Sequence, residues 1–248
     1  MVQGNPDLDE ILVDDRRCKN RGPWGFWREV LQLRKRHFDV ALILHTKRRA
    51  NWLCFFSGIP HRVGFCFDKS DFLLTLRIRD FRSQGLIHES RNCLDVLKQL
   101  GIKEERVEMF LPLRPENEMW VDDLFKQMKI DSQKPIIAIH PGASCPTKKW
   151  PEKFFIEVAQ QILKTYSCQI FLVGSVDARE NARHIFDAVH GPIFDLTGKT
   201  TVGQLASLLK RCRMLISNDS GPVHVAAALG IGVVSIFTRN QGGINPER

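Results

Sequence analysis

The 248-residue chain contains no apolar run close to the ~20 residues that a membrane-crossing helix needs, and its opening, Met1 to Glu10, is polar and acidic where a secretory leader would be basic and then apolar. Both absences predict a cytosolic chain without a transmembrane segment. The seven cysteines (Cys18, Cys54, Cys66, Cys93, Cys145, Cys168 and Cys212) are scattered, odd in number and never spaced Cys-x-x-Cys. That pattern argues against a disulfide framework, and they are read as reduced thiols, mostly core filler. Low-complexity segments and internal repeats are also missing. With 43% hydrophobic and 26% charged residues, the low hydrophobicity and one-sided charge of a disordered protein are excluded.

What is present suffices for two domains, because a single core usually stops growing near ~250 residues. The formal net charge of +8 is uneven: residues 1–114 carry +6 and residues 115–248 carry +2. Arg34-Lys35-Arg36 and Lys47-Arg48-Arg49 are the densest clusters. Such a field suits nucleic acid, a phosphorylated small molecule or a lipid headgroup, and a solvated helix face explains it as well. Aromatic residues do not interleave with the clusters as they do in RNA-binding modules, so nucleic acid is the least favoured partner.

Short, nearly continuous aliphatic runs at Asp39–Leu44, Ile136–Ile139, Gln169–Val173, Met214–Ser217 and Val233–Phe237 predict strands of a parallel sheet covered on both faces. Helical periods lie between them, roughly over 24–36, 47–57, 86–100, 151–166, 177–189 and 201–211. Strands alternating with helices predict an α/β architecture. The segment 115–134 breaks the rhythm with a polar helix candidate and a turn-rich stretch, and is read as an interdomain linker.

In open parallel sheets ligands bind beyond the carboxyl ends of the strands, so the loops after each strand matter. One such loop, His140-Pro141-Gly142-Ala143-Ser144-Cys145-Pro146-Thr147-Lys148-Lys149-Trp150, combines glycine, hydroxyls and two lysines. It is not a nucleoside-triphosphate P-loop, because counting from Gly142 puts Thr147 in place of the second glycine and Lys149 in place of the magnesium-binding hydroxyl. A second, Gly174-Ser175-Val176-Asp177, offers Asp177 to ribose hydroxyls, although an acid opening a helix also simply complements its dipole. The third, Asn218-Asp219-Ser220-Gly221-Pro222-Val223-His224, reads as a strand end and a helix start, with Asp219 and Ser220 as capping types and Pro222 in the first turn. A helix mouth with free N–H groups attracts anions, so a phosphate-bearing ligand is expected.

His140-Pro141-Gly142-Ala143 with Lys148-Lys149-Trp150-Pro151, followed about 70 residues later by Asn218-Asp219-Ser220-Gly221-Pro222, His224 and Ala226-Ala227-Ala228-Leu229-Gly230, resembles glycosyltransferase family 9, the lipopolysaccharide heptosyltransferases. Weaker similarity covers Phe38–Phe65 and His88–Gly101. The resemblance implies a GT-B fold of two Rossmann-like parallel-sheet domains facing a cleft. Residues 1–114 would form a partial acceptor-side domain, 115–134 the linker, and 135–248 a donor domain truncated at its end. It further implies an inverting, metal-independent and cofactor-free transfer of heptose from ADP-heptose, or a similar nucleotide sugar, to the inner core of lipopolysaccharide at the inner membrane face. By resemblance Lys148 sits on the donor diphosphate with Ser144 and Thr147 nearby, and Asp219, Ser220, Gly221 and His224 surround the phosphates and ribose. Arg49, and more weakly His88, would meet the anionic acceptor.

Two departures from the family are visible. The loop with Gly-Asp that supplies the family's proposed base is not found, so the chain reads as lacking both termini and no catalytic base is assigned to Asp7, Asp9 or Asp14. Ala178 also stands where family members often place an acid. A catalytically silent fragment that keeps a nucleotide-sugar site therefore remains open, as does another GT-B transferase or epimerase with a different donor.

Overall fold

A computed structural model describes residues 4–15, 20–45, 47–67, 69–81, 89–103 and 109–237. The chain divides into two compact units, whose described parts lie within Leu12–Val107 and within Glu108–Asn240, the latter joined by the opening residues up to Ile11.

The smaller unit holds helix α1 (Gly22–Arg34), strand β1 (Val40–Ile43), helix α2 (Arg48–Phe56), strands β2 (His61–Cys66) and β3 (Leu76–Arg79), and helix α3 (Glu89–Lys98). Its three strands run parallel in the order β1-β2-β3. Val63 and Phe65 of β2 are buried with Val96 of α3, and Leu76 and Ile78 pack against them. The expectation of a strand buried on both faces fails at β1, where Ile43 is buried but Val40 and Leu42 are exposed. The reason is its place: among the described residues β1 pairs only with β2, so it is an outer strand.

The larger unit holds α4 (Pro115–Gln127), β4 (Ile136–His140), α5 (Glu152–Thr165), β5 (Gln169–Leu172), α6 (Arg179–Ala188), β6 (Ile193–Asp195), α7 (Val202–Lys210), β7 (Met214–Asn218), α8 (Gly221–Ala228) and β8 (Gly232–Ile236). All five strands are parallel, in the order β6-β5-β4-β7-β8. Alternation along β4 divides the core. Ile136 and Ala138 join Phe171, Leu215 and Ala226 on the face covered by α4, α7 and α8, whereas Ile137 and Ile139 join Phe155, Ile170 and Ile185 under α5 and α6. Each large side chain so enclosed contributes about 1.5–3 kcal/mol relative to exposure.

The segment 115–134, expected as a linker, is part of this core. α4 buries Val121 completely and lays Leu124 and Phe125 on the sheet, with the Phe125 and Phe171 ring centroids 5.8 Å apart in an edge-to-face pair. Its polar side is what made it read as a connection, and its apolar positions recur at helical spacing on the other side. The strand β6 went unread because three residues, Ile193-Phe194-Asp195, carry too little pattern.

Candidate functional site

The strand order reverses between β4 and β7: the chain proceeds from β4 outward through β5 to β6, and from β7 outward to β8. The loops leaving the carboxyl ends of β4 and β7 therefore part company, opening the crevice where α/β sheets hold ligands. A pocket of about 480 Å³ lies there, lined by the loops after β4, β5, β6 and β7. Its polar wall includes Ser144, Lys149, Asp177, Thr200, Thr201 and Ser220.

One buried side chain joins the two principal loops. Asn218, at the end of β7 with no exposed surface, donates from Nδ2 to the carbonyl oxygens of Pro141 (2.8 Å) and Gly142 (3.3 Å) and accepts at Oδ1 from the Trp150 N–H (3.0 Å). Carbonyls only accept and the N–H only donates, so the partners themselves fix which way the amide points. Residues 141–150 are thereby closed into a loop stapled at both ends. Trp150 anchors the far end, stacking on Phe154 at 5.2 Å and meeting Phe155 edge-on at 5.0 Å.

The floor of the pocket is a histidine cluster. His140 is buried at the end of β4, with Nδ1 at 3.1 Å from Ser217 Oγ and 3.0 Å from Ser220 Oγ. Burial pushes the imidazole down to about 4, so it is neutral near pH 7, and its Nδ1 shares a hydrogen-bonded cluster with the two hydroxyls, which also reach the Asn218 carbonyl at 2.7 and 3.0 Å. Two glycines make room for the ring. A Cβ on Gly142 would come within 3.0 Å of His140 Nε2 and 2.9 Å of Ala178 Cβ, and one on Gly174 within 3.0 Å of the ring and 3.1 Å of Ala178 Cβ. Ala178 is buried against these glycines, and both it and the neighbouring Asp177 line the pocket.

Lys148 and Asp219, separated by 71 residues in sequence, meet with Nζ 2.5 Å from Oδ2. The hydrogen bond to Asp219 holds the Lys148 ammonium above its ordinary range. The pair is flanked in sequence by Lys149 and Ser220, both of which line the pocket.

Of the residues singled out in sequence, Ser144, Ser220 and Gly221 line the pocket, and Lys148 and Asp219 meet beside them. Thr147 Oγ1 lies 3.1 Å from Cys145 Sγ, and that contact lowers the Cys145 thiol below its ordinary value. His224 is exposed in α8. The helix mouth is narrower than expected. Ser220 is the N-cap residue, but its hydroxyl turns to His140, Ser217 and the Asn218 carbonyl instead of capping, and Val223 N–H is taken by the Ser220 carbonyl. Pro222 has no N–H, which leaves Gly221 as the first-turn amide at the pocket wall.

Residues that sequence reasoning missed are Lys149, Thr200, Thr201, Val202 and Leu205. The signal for the last four was the Thr-x-x-Gln capping box at Thr201 and Gln204, which marks a helix start after a strand end and is formed in the structure. In the smaller unit, Arg49 is 3.0 Å from Asp14 and 2.7 Å from Glu29 and lies over the Phe26 ring. Its charge is balanced within its own unit by these two carboxylates. His88 lies outside the described residues.

A parallel sheet with a polar pocket at its switch point defines an α/β protein with a ligand crevice between two strand-end loops. The comparisons name the family. The profile of glycosyltransferase family 9 (heptosyltransferase) matches residues 26–244, and the chain belongs to this family. It is 29% identical over 224 residues to lipopolysaccharide heptosyltransferase 2 of Escherichia coli K12, a match covering 86% of the chain and 64% of that relative. Among solved structures, the chain is similar to the E. coli ADP-heptose lps heptosyltransferase II (TM-score 0.70, 26% identity, covering 84% of this chain and 65% of that one). It also superposes on the glycosyl transferase family 9 structure from Veillonella parvula DSM 2008 (TM-score 0.89, 23% identity, covering 99% and 70%). The fold is thus α/β of the GT-B type, and the chain spans about two thirds of these relatives' length.

Proposed function

We propose that the protein transfers heptose from ADP-heptose to the inner core of lipopolysaccharide, with inversion and without a metal ion, working at the cytoplasmic side of the inner membrane. The observation that carries this reading is the convergence of two distant motifs: Lys148 and Asp219 meet at 2.5 Å beside a pocket walled by Ser144, Lys149, Thr200, Thr201 and Ser220. Heptosyltransferase relatives support the transfer of heptose.

As the glycosidic bond breaks, the leaving diphosphate gains negative charge. Lys148, Lys149 and the Gly221 amide stabilise that charge more in the transition state than in the ground state, which is what lowers the barrier. In comparable anion sites the loss of one such donor costs about 2.7–4 kcal/mol. Asp219 holds Lys148 in place, and the hydroxyls of Ser144 and Thr147 take phosphate oxygens or sugar hydroxyls. Asp177 and Thr201 face the ribose. The acceptor-side base is not assigned to Asp14, which is engaged by Arg49.

Isothermal titration with ADP and ADP-heptose tests the donor half. Binding is expected, weakened about 10- to 100-fold in Lys148→Ala and Asp219→Ala, with little change in melting temperature because a half-exposed ion pair contributes about 0–1 kcal/mol. Well-folded protein that binds no nucleotide or nucleotide sugar overturns the reading. Heptose transfer by the 248-residue chain separates an active enzyme from a donor-binding fragment.

A further inference from the structure

Helix α1 presents a face that the described parts of its unit do not cover. Trp24 is 89% exposed, Trp27 47% and Leu31 57%, and their spacing of three and four residues places them in one stripe. Packing falls to the other side, where Gly25 and Val30 are buried. The stripe continues onto α2 and the turn before β3: the Trp27 and Phe56 rings are 5.0 Å apart, Phe56 stacks on Trp52 at 5.5 Å, and Trp52 meets Phe72 at 5.9 Å. Phe56 and Phe72 are themselves exposed. A continuous aromatic patch of this kind marks a binding surface.

The margins of the stripe are basic. At 100° per residue, Arg28 and Lys35 fall on one flank of Trp24, Trp27 and Leu31 and Arg34 on the other, with Arg21 at the helix start; all four are exposed. The single acid of α1, Glu29, points away from this face and accepts from Arg49 Nη2 at 2.7 Å. The face therefore has an apolar centre, a cationic rim and no carboxylate from its own helix.

We propose that this face lies on an anionic phospholipid bilayer, with Trp24, Trp27 and Leu31 among the headgroups and Arg34 and Lys35 on lipid phosphates. Indole rings favour the membrane interface because one edge is apolar and the N–H is polar, and basic residues beside them are drawn to the negative surface. Charge also argues against a second copy as the occupant: a two-fold pairing of this face would set its cationic rim against itself. The inference takes from the proposed function only the reason for a membrane nearby. Lipid binding is measured without donor or acceptor, so the two readings fail separately.

The test is co-sedimentation of the whole chain with vesicles of phosphatidylethanolamine and phosphatidylglycerol, against vesicles of phosphatidylcholine alone. Binding to the anionic vesicles is expected, weaker by about tenfold on phosphatidylcholine and in high salt. The variant Trp24→Ser/Trp27→Ser/Leu31→Ser should lose about tenfold or more, and Arg34→Gln/Lys35→Gln a smaller part confined to anionic lipid. These side chains are exposed, and far-UV circular dichroism with a melting curve checks that each variant is folded. Failure of the parent chain to bind anionic vesicles, or undiminished binding by the serine variant, overturns the proposal. So does a concentration-dependent dimer that the serine variant abolishes while vesicles bind neither protein.

Discussion

Removing the Asn218 amide tests whether one side chain holds the loop that carries both lysines. In Asn218→Ala the Trp150 N–H and the Pro141 carbonyl lose their partners at 3.0 and 2.8 Å, and the weaker contact to the Gly142 carbonyl at 3.3 Å disappears with them. A buried polar group left unpaired costs roughly 1–3 kcal/mol. Two such groups give about 2–6 kcal/mol, and because Trp150 is only half-buried, water can reach part of the site and favours the lower half, about 3 kcal/mol. In a chain of this size that is a fall of roughly 6–12 °C in melting temperature. Asn218→Asp sharpens the test. The new carboxylate still accepts from Trp150, but its second oxygen faces the Pro141 carbonyl, so two acceptors meet where a donor is needed. Protonation would repair this, so the folded chain binds that proton more tightly than the unfolded chain, and the variant should gain stability as pH falls from 7 to 5. Thermal unfolding of the three proteins at both pH values, followed by ADP titration, is the assay. An alanine variant melting within about 2 °C of the parent, or an aspartate variant indifferent to pH, refutes the staple.

Two further outcomes follow from the pocket floor. His140 is held near 4 by burial, below its ordinary 6.5, so the folded chain binds fewer protons than the unfolded one. Its contribution is whole above pH 6.5 and is lost as pH falls toward 4, on the order of 3 kcal/mol in all; the difference between urea midpoints of the parent and His140→Gln should shrink across that window, and a constant difference refutes it. Gly174 has φ +151°, and an added Cβ would press on His140 and Ala178 at 3.0–3.1 Å. Gly174→Ala should cost about 1–3 kcal/mol and weaken ADP binding, whereas a melting temperature equal to the parent's would show that the floor yields.

The larger unit was largely legible because its strands are short aliphatic runs and its helices are strongly periodic. α5 was expected over 151–166 and forms over Glu152–Thr165. Failures came where pattern was short or masked: β6 has three residues, and the polar side of α4 hid Val121 and Phe125. The family motifs brought Lys148 and Asp219 into view, but nothing in either motif said that Lys149 rather than Lys148 lines the pocket.

By itself the sequence determined the elements of the larger unit other than β6, the family, and the residue types available to an anion, since those depend on local periodicity and motif chemistry. Tertiary structure decided what the residues do. Parallel pairing set His140 of β4 beside Ser217 of β7, which turned the Ser220 hydroxyl from a helix cap into a partner of a neutral histidine. It also made Asn218 a staple and left Trp24, Trp27 and Leu31 facing outward. Hydrogen-bond satisfaction and burial are properties of neighbours distant in sequence, so they arise only when the sheet is assembled.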